Sequence, residues 1–143
     1  MSTSHDESDG ASHITAHLIA EDARLDVLPR HFGLHMLRLE DTVFDFMRRF
    51  ATQYVGGYWD MLDLSNGGFY MRTGSEPVNF RVPSNGYEGV MSADAAGITV
   101  CLFAYSHLSF QFPEEACFSR HFYQLRAYAI EHPEASQIFA AID

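Results

Sequence analysis

Lysine is absent from this chain. Its nine basic residues are all arginine, set against nineteen acids, for a net charge of −10 over 143 residues. Nine scattered Arg under that field do not assemble a continuous track for phosphates, so direct nucleic-acid binding is not expected. Cysteine is scarce as well: Cys101 and Cys117 both sit in apolar stretches of helical pattern. Two such thiols point to reduced, buried side chains in a cytoplasmic protein and exclude a disulfide framework. Long apolar runs are missing too. The longest covers residues 95–105, well short of the roughly 20 residues that cross a bilayer. The N-terminus has neither a basic segment nor an apolar core of signal length, so neither export nor a membrane partner is expected.

What is present is apolar and aromatic. Twelve Phe, seven Tyr and one Trp supply the payload for one buried core, and a chain of this length needs neither metal nor disulfide to hold it. A single monomeric domain is the expectation. The acidity raises the idea of a protein that imitates DNA, but its distribution weakens the idea. Six acids fall in the first 26 residues, and the thirteen that follow face eight Arg, leaving about −5, an ordinary value for a domain.

Residues 1–20, rich in Ser, Asp and His, read as a mobile tail, leaving residues 21–143 as the domain. His13 and His17 are four apart but have no third ligand beside them. A short helix is expected over 22–28, stopping before Pro29, and an amphipathic one over 40–52, where Val43, Met47, Phe50 and Tyr54 share a face. The stretch YVGGYWDMLDLSNGGFYM at 54–71 carries two glycine pairs and the one tryptophan. Asn66-Gly67-Gly68 is a hairpin turn between strands at 57–64 and 68–72. Alternation puts Trp59, Met61 and Asp63 on one face and Asp60, Leu62 and Leu64 on the other. Residues 78–82 read as a third antiparallel strand beside the hairpin. Ser92 is a competent helix N-cap with Asp94 in the first turn. The helix that follows, over 93–107, is apolar all round and so should be the buried centre. Pro113 and Pro133 introduce two more helices, over 114–131 and to the end of the chain. The fold class is α+β: a small antiparallel sheet, hairpin plus third strand, packed by about four helices.

Reactive constellations are sparse. His31 and His35 are four apart, but Gly33 lies between them and no Glu follows His31, so the metalloprotease pattern is not met. Cys117 and His121 share a helix face without an orienting third group. Ser106 and His107 are adjacent and point apart. No glycine-rich phosphate loop is present. No catalytic, cofactor-binding or metal-ligating residue is therefore nominated, and no cofactor is expected.

Particular segments carry more than periodicity does. LPRHFG at 28–33, YVGGYWD at 54–60, LSNGGFYM at 64–71 and NGYEGVMSADAAGITVCLFAYSHLSF at 85–110 resemble the KlcA/ArdB antirestriction family, as do FYQLRAYAIEHPEA at 122–135 and IFAAID at 138–143. The resemblance spans residues 28–143. It implies a compact α+β protein of plasmids or other mobile elements in the bacterial cytoplasm. Such a protein relieves type I restriction-modification of incoming DNA without a cofactor and without being an enzyme. The implied partner is the restriction-modification enzyme or a host factor linked to restriction. A DNA mimic that occupies the restriction enzyme's DNA site is the alternative, and a small hydrolase using His107 or Asp94 is a third reading. For contact with a protein partner, acids for steering and aromatics for anchoring are the economical choice. The candidates are Asp60, Asp63, Glu88, Asp94 and Asp143, with Trp59 and Tyr87 as anchors.

Overall fold

A computed structural model describes residues 13–74 and 76–143. Strand β1 (Ala16–Leu18) is followed by a 3-10 turn, helix α1 (Arg24–Phe32), a second 3-10 turn (Gly33–His35) and helix α2 (Met36–Phe50). Strands β2 (Trp59–Leu64), β3 (Phe69–Thr73), β4 (Val78–Val82) and β5 (Tyr87–Met91) come next. Helices α3 (Ala93–Gln111), α4 (Ala116–Ile130) and α5 (Ala135–Ile142) complete the chain. The class is α+β, as the sequence indicates, but the sheet is divided: β1-β2-β3 form one antiparallel sheet and β4-β5 another. No helix among the described residues is long and apolar enough to cross a membrane.

The central helix is α3. Ile98, Val100, Ala104, Tyr105 and Leu108 are wholly buried, and it packs against β3, α2, α4 and α5. Ser92 caps it, its side chain accepting from the Ala95 N–H at 3.0 Å, which satisfies one of the donors a helix start leaves free. The helix lies directly on β3 at Gly97, where an added Cβ would sit 2.7 Å from the Arg72 Cβ and 2.9 Å from its Cα.

That close approach explains why β4 does not join the hairpin. The open edge of β3 is taken by α3: the Tyr105 hydroxyl donates to the Phe69 carbonyl, and the Met71 N–H lies 3.5 Å from the Cys101 Sγ. A strand edge covered by a helix has no ladder to offer. Residues 78–82, expected as the hairpin's third strand, instead pair with β5, Val78 opposite Met91 and Val82 opposite Tyr87.

The third strand of the first sheet comes from the expected tail. Ala16, His17 and Leu18 pair with Leu64, Asp63 and Leu62, held at the ends by Ser65 N–H to the Thr15 carbonyl (2.9 Å) and Ile19 N–H to the Met61 carbonyl (2.8 Å). Three residues are too few for a period of two to register in sequence. The expectation of a tail through residue 20 is corrected for this strand, and its first twelve residues lie outside the described ones.

Helix α1 also departs from expectation by running through Pro29 to Phe32. Proline removes the N–H that would bond the Leu25 carbonyl, but Leu25 is 91% exposed, so water can take that carbonyl. The gain is Phe32, 3% exposed, whose ring packs on Phe69, Tyr105 and Phe118. The hairpin turn is likewise tied down. Asn66 Nδ2 donates to the Gln124 carbonyl at 2.9 Å, Gln124 Nε2 returns a bond to the Asn66 carbonyl at 3.0 Å, and Gly67 takes a φ of 95° beneath them.

Candidate functional site

Seven residues were singled out by sequence, and the structure spreads them over five places. Two of them meet through a partner that sequence reasoning missed. Asp94, second residue of α3, accepts from the Tyr70 hydroxyl at 2.7 Å and from Arg72 Nη1 at 2.6 Å through Oδ1, and from His132 Nε2 at 2.8 Å through Oδ2. Arg72 also reaches back along the sheet to Asp60, Nε to Oδ2 at 3.3 Å. The order of elements makes this possible. Tyr70 and Arg72 are two apart on β3 and share a face, Asp60 lies opposite Arg72 in the β2–β3 register, and the helix start places Asp94 over that face.

The α4–α5 turn closes the cluster. The Glu134 backbone N–H donates to His132 Nδ1 at 2.9 Å, which leaves Nε2 as the protonated nitrogen and makes the imidazole a neutral donor to Asp94. Glu134 in turn accepts from the Ser92 N–H at 2.9 Å and from the Ser92 hydroxyl. Burial alone would push the Asp94 carboxyl upward, but the bonds from His132, Tyr70 and Arg72 outweigh it and hold the group at about 2. The Tyr70 hydroxyl is held far above its ordinary value by burial first and by Asp94 second. The α3 N-terminus favours the carboxylate as well.

Asp63 points to the opposite face of the hairpin from Asp60, as the alternation read from the sequence requires. There it pairs with Arg30 Nη2 at 2.8 Å and His31 Nε2 at 2.6 Å. Burial raises its carboxyl, and these two partners overcome that and lower it. The His31 ring sits 4.9 Å from that of His121, inside a box that includes Phe32 and Tyr105. His121 is 1% exposed, and its Nδ1 has no hydrogen-bond partner among the described residues. Burial, then His31, then Arg120 bring its pKa down to about 3. His35, four residues from His31, turns away to Glu115 Oε2 at 3.6 Å, so the two histidines do not converge. Among the described residues no group of three His, Cys, Asp or Glu is placed to hold a metal.

The remaining nominated residues stand apart. Trp59 belongs to the core, 5% exposed, with Nε1 donating to the Tyr54 hydroxyl at 3.1 Å and its ring 5.3 Å from Phe44. A surface anchor was expected there. The physical reason for the difference is that Phe44 of α2 and Tyr54 cover its ring. Tyr87 is half-buried, its hydroxyl 2.8 Å from Gln137 Oε1. Glu88 is exposed on β5 opposite Arg81. Asp143 is exposed at a cleft of about 220 Å³ whose walls include Phe103, Phe122, Arg126 and Phe139.

Sequence reasoning missed Tyr70, Arg72, His132 and Glu134, and weighed His31 and His121 only beside His35 and Cys117, not beside Asp63 and each other. Two signals were available: polar residues two apart on an otherwise apolar strand, and a His-Pro-Glu triplet just before the last helix. Chemically, Tyr70, Arg72, His132 and Glu134 are committed to the Asp94 network and His31 to Asp63. The Cys101 thiol is pushed up to about 12 by burial, and the Cys117 thiol is raised by the same cause. His107 lies thirteen residues from Asp94 on α3, about 20 Å at the helical rise, so those two do not form an acid–base pair.

A family model described as antirestriction protein matches residues 52–143. This chain belongs to the antirestriction protein family. Two proteins of Escherichia coli, each named antirestriction protein KlcA, are 42% and 43% identical to it over 136 and 140 residues. They cover 91% and 92% of this chain, and the matches span 95% of each relative. A solved structure is similar at a TM-score of 0.83 with 41% identity, covering 91% of this chain and 95% of that one. It comes from work on the KlcA and ArdB proteins that reports a novel fold and antirestriction activity against type I DNA restriction systems in vivo but not in vitro. The family resemblance read from the sequence is borne out.

Proposed function

We propose that this chain relieves type I restriction of incoming DNA in a bacterial host, as a non-enzymatic inhibitor that works through protein contacts in the cytoplasm. The observation that carries the reading is the similarity, at 41% identity and a TM-score of 0.83, to a structure whose proteins act against type I systems in vivo but not in vitro. Activity that needs the cell is what an inhibitor working with or through a host factor produces. The partner is then the restriction-modification enzyme or a host factor linked to it, with no cofactor and no direct nucleic-acid contact. The chain acts as a monomer in this reading.

The internal chemistry supports inhibition over catalysis: each of the two polar clusters is spent on joining elements, and both thiols are held protonated. DNA mimicry is less well supported, because Asp45, Asp60, Asp63 and Asp94 each lie within ion-pair distance of an Arg and so do not present an unbroken anionic row. The exposed Glu88 and Asp143 are the better placed of the nominated contact residues, with Tyr87 beside the first. Asp60, Asp63 and Asp94 contribute only the edges that their ion pairs leave open.

The test is transformation of unmodified plasmid into a type I restricting host with and without this chain. Recovery of transformants is expected, and unchanged restriction overturns the proposal. Mimicry predicts instead that the purified protein binds the purified restriction enzyme in a salt-sensitive manner and displaces DNA.

A further inference from the structure

Helices α1 and α2, joined by the 3-10 turn at Gly33–His35, leave between them a cleft of about 270 Å³. Leu25, Leu28, Pro29, Met36 and Leu37 line it, and Glu40 and Arg24 stand in its wall. Two of these leucines are turned to water to an unusual degree, Leu25 at 91% and Leu37 at 64% exposure. Single exposed leucines are commonplace on protein surfaces, but two on the walls of one concavity form a patch.

Glu40 supplies a second, chemical observation. It is half-buried, yet among the described residues it has neither a hydrogen bond nor an ion pair within 4.0 Å. Burial raises its carboxyl, neighbouring Asp41 adds to that, and Arg24 offsets them only in part. Arg24 forms no ion pair with it and holds its guanidinium 4.5 Å above the Tyr58 ring. A carboxylate partly desolvated by an apolar cleft and left without an ion pair is stabilised by a cation that reaches it. Acids predominate around it: Asp26 and Asp41 are exposed on the two helices and Glu21 and Asp22 on the 3-10 turn before α1, while Arg30 is paired with Asp63 and Arg38 is turned over Phe112 at 5.1 Å.

We propose that the α1–α2 cleft is a docking site for a segment of a partner protein that presents a lysine or arginine on an apolar flank. The stem of that side chain lies along Leu25 and Leu37 and its charged head meets Glu40, the arrangement long basic side chains adopt on mixed surfaces. The acids around the cleft speed encounter with such a basic segment and exclude acidic ones. This site is separate from both polar clusters, and its binding chemistry stands whether or not restriction is the process affected.

Amide chemical shifts of the ¹⁵N-labelled full chain test it. The probes are hexylammonium, 1-hexanol and hexanoate at equal ionic strength, then a capped Leu/Lys octapeptide and its Leu/Glu counterpart. Shifts confined to residues 24–28 and 36–41 are expected, with hexylammonium bound about threefold more tightly than hexanol, the scale of a partly exposed ion pair, and hexanoate the weakest. The Leu/Lys peptide should exceed the Leu/Glu peptide by a larger factor. Glu40→Gln should abolish the preference for the cation and leave hexanol binding unchanged. The double variant Leu25→Ser/Leu37→Ser, at exposed positions and so compatible with folding, should weaken all probes. No localised shifts, equal affinity for the three hexyl probes, or a cation preference that survives Glu40→Gln overturns the proposal. So does concentration-dependent broadening of the same amides without probe, which would assign the cleft to a second copy of this chain.

Discussion

The Asp94 and His121 clusters invite comparison. Both gather polar side chains from segments far apart in sequence, and both are largely removed from water. Around Asp94 each carboxylate oxygen has a donor, and the donors are held in turn by Asp60 and by the Glu134 backbone N–H. Around His121 the packing is aromatic and one ring nitrogen has no partner. A satisfied network of charge resists acid, because its carboxylate is hard to protonate. An unsatisfied imidazole in an apolar box yields to acid, because the unfolded chain takes the proton first.

The strongest way to break the comparison is to remove the centre of the satisfied network. Asp94→Ala leaves Arg72, Tyr70 and His132 without their acceptor and should cost about 2–4 kcal/mol of stability, the scale for deleting one partner of a partly buried charged pair. The denaturant midpoint measures it, and a loss under about 0.5 kcal/mol would refute the idea that Asp94 joins sheet, helix and turn.

Acid titration sharpens the comparison next. A histidine whose pKa is depressed in the folded state contributes fully above the unfolded value of about 6.5. That contribution is lost as pH falls toward the folded value, here about 3 for His121. The loss is about 1.4 kcal/mol per pH unit for each such group, and His31 shifts in the same direction. Asp94, held at about 2, contributes above its unfolded value and begins to lose that contribution only below about pH 4. Stability measured between pH 7 and 4 should therefore fall steeply in the wild type and less steeply in His121→Leu. Parallel slopes would mean that the His121 ring does not set the acid response.

Smaller effects test the rims. Ser92→Ala removes the acceptor for the Ala95 N–H and the hydroxyl that meets Glu134, and should cost about 1 kcal/mol by thermal or chemical denaturation. Arg48→Ala breaks an ion pair in which both side chains are more than half exposed. It should change stability by less than about 0.5 kcal/mol, and a larger change would show that exposed pairs matter here as much as the buried network.

Much of the fold was legible because it is local. The Ser92 cap, the all-round apolar character of α3 and the Asn-Gly-Gly hairpin each depend on residues within one or two turns of each other, and each is where the sequence puts it. The two faces of β2 also hold: Asp63 meets α1 while Asp60 stays with Arg72. The misses are long-range. A three-residue strand at 16–18, pairing with residues some 45 positions away, has no pattern of its own to read. The partition of β4 from the hairpin depends on α3 covering an edge through Tyr105 and Gly97. Pro29 stops a helix by local rule and does not here, because its orphaned carbonyl is at the surface and Phe32 has a core to fill. Trp59, chosen as an anchor for its chemistry, is interior because Phe44 and Tyr54 cover it.

The sequence by itself determined the class of the fold, the central helix with its cap, and membership of the antirestriction family, since these rest on periodicity and on long runs of particular residues. Tertiary structure alone decided which strand completes the first sheet, what holds Asp94, that His121 faces His31, and that Glu40 stands in the α1–α2 cleft without an ion pair among the described residues. The reason is physical: a side chain's charge, exposure and partners depend on groups brought near by folding, and along the chain those groups are strangers.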